Sequence, residues 1–223
     1  MVAISANGES PLARAARVWL PLGPHPDTPV ATLSYTATLQ ALGMLCDALL
    51  GRDSGWGRLP ALAAEVLESA DSHVEELAPR FAQARALDAA GAGAAAASAG
   101  ETALLGREAL KLPATGMETR EYLHGPLEAV TDEFACVVFG GEREHELAAA
   151  LASYGAAVAL LSDSAPEVRA AAGAHVIPLP AVSELAAPVL QILPVQLLVD
   201  RVAAARGLAI GELTRHQRDT KVR

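Results

Sequence analysis

The chain has 223 residues; 52% are hydrophobic but only 4% are aromatic, so Ala, Leu and Val must fill a sizeable core. Its formal net charge of −9 argues against a nucleic-acid-binding protein, which requires a basic surface. An anionic ligand would have to be held locally, by backbone N–H groups and hydroxyls.

Neither a membrane span nor a secretion signal is predicted. No segment provides about 18 uninterrupted apolar residues, and the opening MVAISANGES lacks a basic n-region. Cys46 and Cys136 lie in apolar runs without a Cys-x-x-Cys pair, so we interpret them as buried free thiols. We expect a soluble cytoplasmic protein.

The first part of the chain predicts a strand, a short helix, a second strand and a long helix. MVAIS is a short apolar run, and Ser10 precedes a proline at the first position of the short helix. A strand is predicted near Val18–Leu20, and residues 30–50 show helical spacing that ends at Gly51. Residues 51–58 form a polar, Gly-rich loop. Two amphipathic helical stretches follow, with Pro79 near their junction, and a boundary is predicted near residue 85.

The rest of the chain alternates between strands and helices. ARALDAAG predicts a strand before a Gly-rich turn and a helix, and a further helical stretch ends at His124. Strands are predicted at FACVVFGG, AVALLSD and HVIPLP, and helices at EREHELAAALASYGA, APEVRAAAGA and ELAAPVLQILPVQLLVDRVAAARG. This alternation predicts an α/β fold: a doubly wound parallel sheet with flanking helices in three αβα layers. Ligands of such folds bind at the carboxyl ends of the strands.

Hydroxyl side chains crowd the start of the long N-terminal helix. Thr32, Ser34, Thr36 and Thr38 stand where free N–H groups are also exposed. This arrangement suits a phosphate or a sugar hydroxyl, but ordinary N-capping explains it equally well. Both interpretations remain open on the sequence alone.

Glu108 and His124 stand sixteen residues apart, on and after what reads as one helix. A carboxylate and an imidazole together can move protons between adjacent carbons of a sugar. The alternative is a surface glutamate and a histidine that ends a helix. Five neighbouring charges are interpreted as solvated: Glu101, Arg107, Glu118, Arg120 and Glu121.

Neither a cofactor nor a metal is expected. Gly91-x-Gly93 follows a strand, but Ala96 stands where the third glycine of a dinucleotide motif is required. The six histidines show no ligand spacing, and His145 and His175 are interpreted as surface or strand-edge residues.

Four segments resemble the sugar isomerase (SIS) domain family. VATLSYTATLQAL is similar to V-A-S-T-K-x-[FY]-T-x-x-L, and ETALLGREALKL…EYLHGPL is similar to E-x-A-L-K-L-K-E…E-L-K-H-G-P-L. APVLQILPVQLLVDRVAAARG resembles the closing helix of these domains, and RHQRDTKV resembles their C-terminal segment. The best-known relative is the isomerase half of glutamine–fructose-6-phosphate aminotransferase, with two SIS domains in tandem.

The resemblance implies a division into three parts. Residues 1–50 correspond to the back half of a first SIS domain, 51–85 to a helical connector, and 86–223 to a second SIS domain with a C-terminal tail. The family's phosphate loop, S-x-S-G-x-[ST], would precede residue 1, which leaves two alternatives open: the natural protein starts upstream, or its phosphate site is only half built. No glutaminase domain is present, so glutamine is not expected to be the direct nitrogen source.

The resemblance also implies site residues. Glu108 corresponds to the glutamate that moves protons between C1 and C2 of the sugar. His124 corresponds to the histidine that assists ring opening, usually in the site of the neighbouring subunit, on a turn fixed by Gly-Pro. Lys221 corresponds to a C-terminal lysine. The implied substrate-binding residues are Val30, Thr32 and Ser34, with Thr32 in place of the family serine.

The family lysine of A-L-K-L-K-E is replaced by Leu105, which leaves three functions open. The first is a phosphosugar isomerase or amino-sugar-phosphate deaminase that takes a hexose or hexosamine 6-phosphate and forms a homodimer. The second is a phosphosugar-binding module without catalysis, and the third is a regulatory dimerisation module.

Overall fold

A computed structural model describes residues 1–23, 27, 29–163, 173–211, 213 and 215. The strands are β1 (Val2–Ser5), β2 (Val18–Pro21), β3 (Ala86–Gly91), β4 (Ala114–Glu118), β5 (Phe134–Phe139), β6 (Ala157–Ser162) and β7 (His175–Pro178). The α-helices are α1 (Pro11–Ala15), α2 (Leu33–Leu50), α3 (Leu59–Phe81), α4 (Ala95–Glu108), α5 (Thr119–Leu123), α6 (Glu142–Ser153) and α7 (Ala187–Ala205). Two short 3-10 helices span Trp56–Arg58 and Pro126–Ala129.

The main sheet has five parallel strands in the order β4-β3-β5-β6-β7. Strands β5 and β6 are continuous apolar runs, as expected for strands buried on both faces. Buried residues of α3, α4 and α7 pack on one face of the sheet, and those of α5 and α6 pack on the other. The predicted doubly wound α/β fold with three layers is therefore confirmed.

The N-terminal elements form a smaller unit beside this sheet. Strands β1 and β2 pair in parallel with Val2 opposite Val18, and α2 packs against α7. The Ser10 hydroxyl accepts the Ala13 N–H at 3.2 Å to cap α1, and Gly51, at φ 63°, ends α2. The predicted order of strand, helix, strand and long helix is confirmed.

Strand β4 is absent from the sequence prediction, which placed Glu108 and His124 on and after one helix. Its sequence, ATGME, lacks the β-branched residues that mark strands. Gly116 is needed there because a Cβ would collide with the backbone of Ala99 on α4. The prediction of one helix was wrong: β4 separates Glu108 from His124.

Helix α3 is continuous, whereas the sequence predicted two stretches. Pro79 lies in its last turn, where a missing backbone N–H interrupts little of the helix. Residues 164–172, which hold most of another predicted helix, lie outside the described part of the chain.

Three predictions of burial were wrong. Cys46 is exposed because its side of α2 is not covered, although Cys136 is buried as predicted. His145 is buried, because it lies in the first turn of α6 against β6, with its Nε2 2.9 Å from the Ser162 hydroxyl oxygen. Glu101, interpreted as solvated, is also buried.

Helices α2 and α7 are long and apolar enough to span a membrane by length and composition, although the sequence analysis expected no such segment. Of the apolar window, 61% is buried within the protein in α7 but only 11% in α2.

Candidate functional site

The start of α2 is bonded to a carboxylate of the chain itself. Asp27 Oδ1 accepts the backbone N–H groups of Thr32 at 3.2 Å and Leu33 at 3.1 Å, and Oδ2 accepts that of Ser34 at 2.7 Å. The hydroxyls of Thr32 and Ser34 donate to the same carboxylate at 3.2 and 2.5 Å. The sequence suggested that the N–H groups and hydroxyls at the start of α2 bind a phosphate. In the structure, those of Thr32 and Ser34 donate to Asp27 instead.

These hydrogen bonds set the charge of Asp27. Burial acts to raise the pKa of the carboxyl, but the hydrogen bonds from Ser34, Leu33 and Thr32 outweigh it and hold the pKa below its usual value. Asp27 therefore stays ionised and caps α2. Val30, which follows in the chain, is buried in the main core.

One face of α4 carries Glu101, Leu105 and Glu108, which follow one another at helical spacing. Leu105, where the resembling family has lysine, is 2% exposed. Glu101 is also buried, and burial raises its pKa to about 7, with Glu108 and Asp27 adding to the increase. Because residue 105 is not a lysine, no cation at this position offsets the effect of Glu108 and Asp27 on the pKa of Glu101.

Tyr35, in the first turn of α2, lies close enough to this group to sense the charge of Glu101. Burial raises the pKa of Tyr35 on α2, and the charge of Glu101 raises it further. The sequence analysis missed Glu101 because it treated the charges of α4 as a solvated set. Its spacing of seven residues from Glu108, with an apolar residue between, places it on the same face of α4.

Glu108 lies half-buried at the end of α4, in an open cleft with basic side chains. The cleft is open to solvent and is lined by Arg107, Lys111 and Arg215 as well as Glu108. The Arg107 Nε donates to the Ala114 carbonyl at 2.8 Å, and the Lys111 Nζ donates to the Glu108 carbonyl at 2.6 Å. Lys111 has φ 57°, a left-handed conformation that is uncommon for lysine. The cleft combines one carboxylate with three cations in an acidic chain.

His124 ends α5 and is exposed to solvent. Its backbone N–H donates to the Glu121 carbonyl at 3.1 Å, and its ring Nδ1 lies 2.6 Å from the Arg120 carbonyl oxygen. A carbonyl oxygen can only accept, so this contact assigns the proton to Nδ1 and leaves the Nε2 lone pair available as a base. Gly125, at φ 141°, turns the chain directly afterwards.

Glu108 and His124 are not brought together within this chain. Arg107 contacts Ala114 at the start of β4, whereas α5 begins after Glu118 at its end. A five-residue strand spans about 16 Å, which separates the two ends of the sheet. Lys221 lies outside the described residues, although Arg215 of the same C-terminal segment lines the Glu108 cleft.

Among the described residues, no group of three His, Cys, Asp or Glu side chains is placed to hold a metal ion. His73 and His175 form a direct contact of 2.8 Å, and Glu76 lies 3.7 Å from the other ring nitrogen of His175. These partners occupy opposite sides of the His175 ring, so they do not converge on one point.

No protein-family model matches the sequence. The chain is 31% identical to the isomerizing glutamine–fructose-6-phosphate aminotransferase of Pyrobaculum aerophilum, over 93% of this chain and 36% of that protein. It is 29% identical to the same enzyme of Gloeobacter violaceus, over 82% of this chain and 33% of that protein. The chain thus spans about a third of the length of these curated relatives.

Solved structures show the same fold. The C-terminal domain of glucosamine-fructose-6-phosphate aminotransferase from Francisella tularensis matches with a TM-score of 0.83 and 21% identity, over 94% of this chain and 64% of that one. Glucosamine-6-phosphate deaminase from Thermotoga maritima matches with a TM-score of 0.78 and 22% identity, over 93% of this chain and 62% of that one. The predicted resemblance is confirmed: the chain has the fold of phosphosugar isomerase (SIS) domains and is similar, over most of its length, to the isomerase half of glutamine–fructose-6-phosphate aminotransferase.

Proposed function

We propose that the chain binds a hexose or hexosamine 6-phosphate and acts on it as an aldose–ketose isomerase or an amino-sugar-phosphate deaminase. The observation that carries the proposal is the open cleft in which Glu108 stands among Arg107, Lys111 and Arg215. The cations supply the local positive charge that a phosphate needs in a chain of net charge −9. The names of the relatives, which include a glucosamine-6-phosphate deaminase, point to the same substrate class.

In this proposal Glu108 transfers the proton. Its carboxylate removes a proton from C2 of the open-chain aldose and returns it to C1, while the neighbouring hydroxyl proton moves to the carbonyl oxygen. The Nε2 of His124 assists ring opening, and Val30, Thr32, Ser34 and Lys221 remain the proposed partners of the substrate. Because Asp27 already binds Thr32 and Ser34, their contacts with a sugar would require this cap to rearrange.

We further propose a cytoplasmic homodimer in which His124 completes the site of the neighbouring copy. The exposure of His124 and its position at the far end of β4 from Glu108 support this arrangement. Mixing Glu108→Gln with His124→Ala chains tests it. In a mixed dimer one site carries both substitutions and the other carries neither, so about a quarter of wild-type activity should return. Failure of the mixture to recover activity, despite proven subunit exchange, contradicts a shared site.

The ligand class is tested by thermal unfolding with hexose and hexosamine 6-phosphates against the unphosphorylated sugars. A ligand at a hundred times its dissociation constant adds about 2.7 kcal/mol of stability, so a phosphosugar should raise the midpoint clearly. Lys111→Asn should weaken this binding by about tenfold or more, since it removes a charge while Asn tolerates the left-handed backbone. Absence of a shift with every phosphosugar contradicts the proposal.

Catalysis is tested separately with Glu108→Gln, which should abolish turnover while the thermal shift survives. Glu75→Gln, at an exposed site on α3, is the matched control and should leave both unchanged. A wild-type chain that binds a phosphosugar without any turnover supports the alternative, a non-catalytic or regulatory phosphosugar-binding module. The replacement of the family lysine by Leu105 is the observation that favours this alternative.

A further inference from the structure

Helix α5 places His124 but has little to stabilise it alone. It has only five residues, from Thr119 to Leu123, and a helix this short is not stable in isolation. Two of its side chains, Thr119 and Tyr122, are buried. The contacts of these side chains must therefore hold the helix in place.

Tyr122 connects α5 to the centre of the sheet. It is 1% exposed, and its hydroxyl donates to Asp88 Oδ2 at 2.9 Å. Asp88 lies in β3, opposite Thr115 of β4 and Cys136 of β5. Burial raises the pKa of Asp88, while hydrogen bonds from Tyr122 and Thr115 act against the increase. A buried polar group costs stability unless it is bonded, so this contact strongly favours one position of α5.

This pair departs from the resembling family pattern. In E-L-K-H-G-P-L a leucine stands two residues before the histidine, where this chain has Tyr122. An apolar leucine can pack in several ways, whereas a hydroxyl bonded to a carboxylate defines a direction and a distance. The link between α5 and β3 is thus more specific than packing alone.

We propose that Tyr122 is a positioning residue whose hydrogen bond to Asp88 fixes the last turn of α5 and thereby holds the His124 ring with its Nε2 lone pair free. The bond from His124 Nδ1 to the Arg120 carbonyl spans one helical turn that contains Tyr122. It forms only while this turn is intact. The significance for catalysis rests on the proposed function, but the state of the ring can be observed without any activity.

The test is the ¹⁵N NMR signal of the neutral His124 ring in the full chain, because the two neutral tautomers give different nitrogen shifts. Wild type should show mainly the Nδ1-protonated form. Tyr122→Phe and Asp88→Ala each remove the hydrogen bond but keep the aromatic ring. Each should lower the ratio of Nδ1- to Nε2-protonated forms by about fivefold, which corresponds to one hydrogen bond of about 1 kcal/mol. Asp88→Asn keeps an acceptor for the tyrosine hydroxyl and should preserve the wild-type ratio.

Ser162→Ala is the matched control, because it removes a buried hydroxyl of β6 that contacts His145 of α6, away from α5. It should leave the His124 ratio unchanged. An unchanged ratio in folded Tyr122→Phe and Asp88→Ala overturns the proposal, as does an equal decrease in Ser162→Ala. If Tyr122→Phe does not fold, Asp88→Ala decides alone, since it retains the whole Tyr122 side chain. A chain that turns over no phosphosugar would still show the tautomer change, so failure of the proposed function is distinguishable from failure of this inference.

Discussion

Asp27, before α2, and Glu101, in the middle of α4, are carboxyl groups that influence each other, and their pKa values are shifted in opposite directions. Asp27 is surrounded by donors: three backbone N–H groups and two hydroxyls. Burial and the charges of Glu108 and Asp27 raise the pKa of Glu101. Hydrogen bonds to the charged form thus keep Asp27 ionised, whereas desolvation favours the protonated form of Glu101.

Leu105 stands where the resembling family has a lysine, so this group of carboxyls lacks a cation at that position. A cation between Glu101 and Glu108 would favour the ionised form of both carboxylates. With a buried leucine there, the charge of Glu108 and that of Asp27 both oppose ionisation of Glu101. Burial and these two charges together raise the pKa of Glu101 to about 7. Three substitutions test whether hydrogen-bond donors, burial and the missing cation account for the opposite pKa shifts of Asp27 and Glu101.

The largest effect is expected for Asp27→Ala, which leaves the first N–H groups of α2 without an acceptor. We expect the free energy of unfolding to fall by about 2 kcal/mol, the upper range for loss of a helix cap. Urea unfolding near neutral pH measures it. Asp53→Ala is the control, because Asp53 accepts one N–H, that of Gly55, in an exposed loop and should cost less than half as much. Equal losses in both variants would contradict the capping role of Asp27.

Glu101→Gln should remove a pH dependence from stability. The folded-state pKa of Glu101 is raised from 4.5 to about 7, so its contribution is fully present below about 4.5 and is lost as pH rises through about 7. Because solvent still reaches part of the carboxyl, we expect wild type to lose about 1 to 2 kcal/mol relative to the variant between about pH 5 and pH 8. Urea unfolding across this range measures the loss. Parallel curves for the two proteins, with Glu75→Gln as reference, would show that Glu101 does not titrate there.

Leu105→Lys should bring the pKa of Glu101 back towards its ordinary value. An ammonium group within a few ångströms lowers a carboxyl pKa by about 1 or more, so we expect Glu101 to ionise at a lower pH than in wild type. A ¹³C NMR titration of the Glu101 carboxyl carbon measures it. Leu104→Lys places the same charge one residue earlier, on the exposed side of α4, and should have little effect. An equal decrease in both variants would mean that general charge, rather than the position of Leu105, controls Glu101.

Much of the fold could be predicted from local patterns. The apolar runs of β5 and β6 predict buried parallel strands, and Ser10 and Gly51 mark helix ends through their own hydrogen-bonding and backbone preferences. Four segments together predicted the SIS resemblance: the start of α2, the motifs around Glu108 and His124, the closing helix and the C-terminal segment. Strand β4 could not be predicted, because its glycine is required by contact with α4 and not by the residues beside it.

The candidate site depended far more on the tertiary structure. Local patterns were sufficient to predict the alternation of strands and helices, the composition of the core, and Glu108 and His124 as candidate residues for proton transfer. The cations of the Glu108 cleft were not predicted. Only tertiary packing decided that Asp27 binds the start of α2, that Glu101 is buried beside Glu108, and that β4 separates Glu108 from His124. Helix and strand patterns depend on neighbours in sequence, so local patterns predict them. By contrast, the charge of a carboxyl group depends on which donors, charges and apolar atoms folding brings around it.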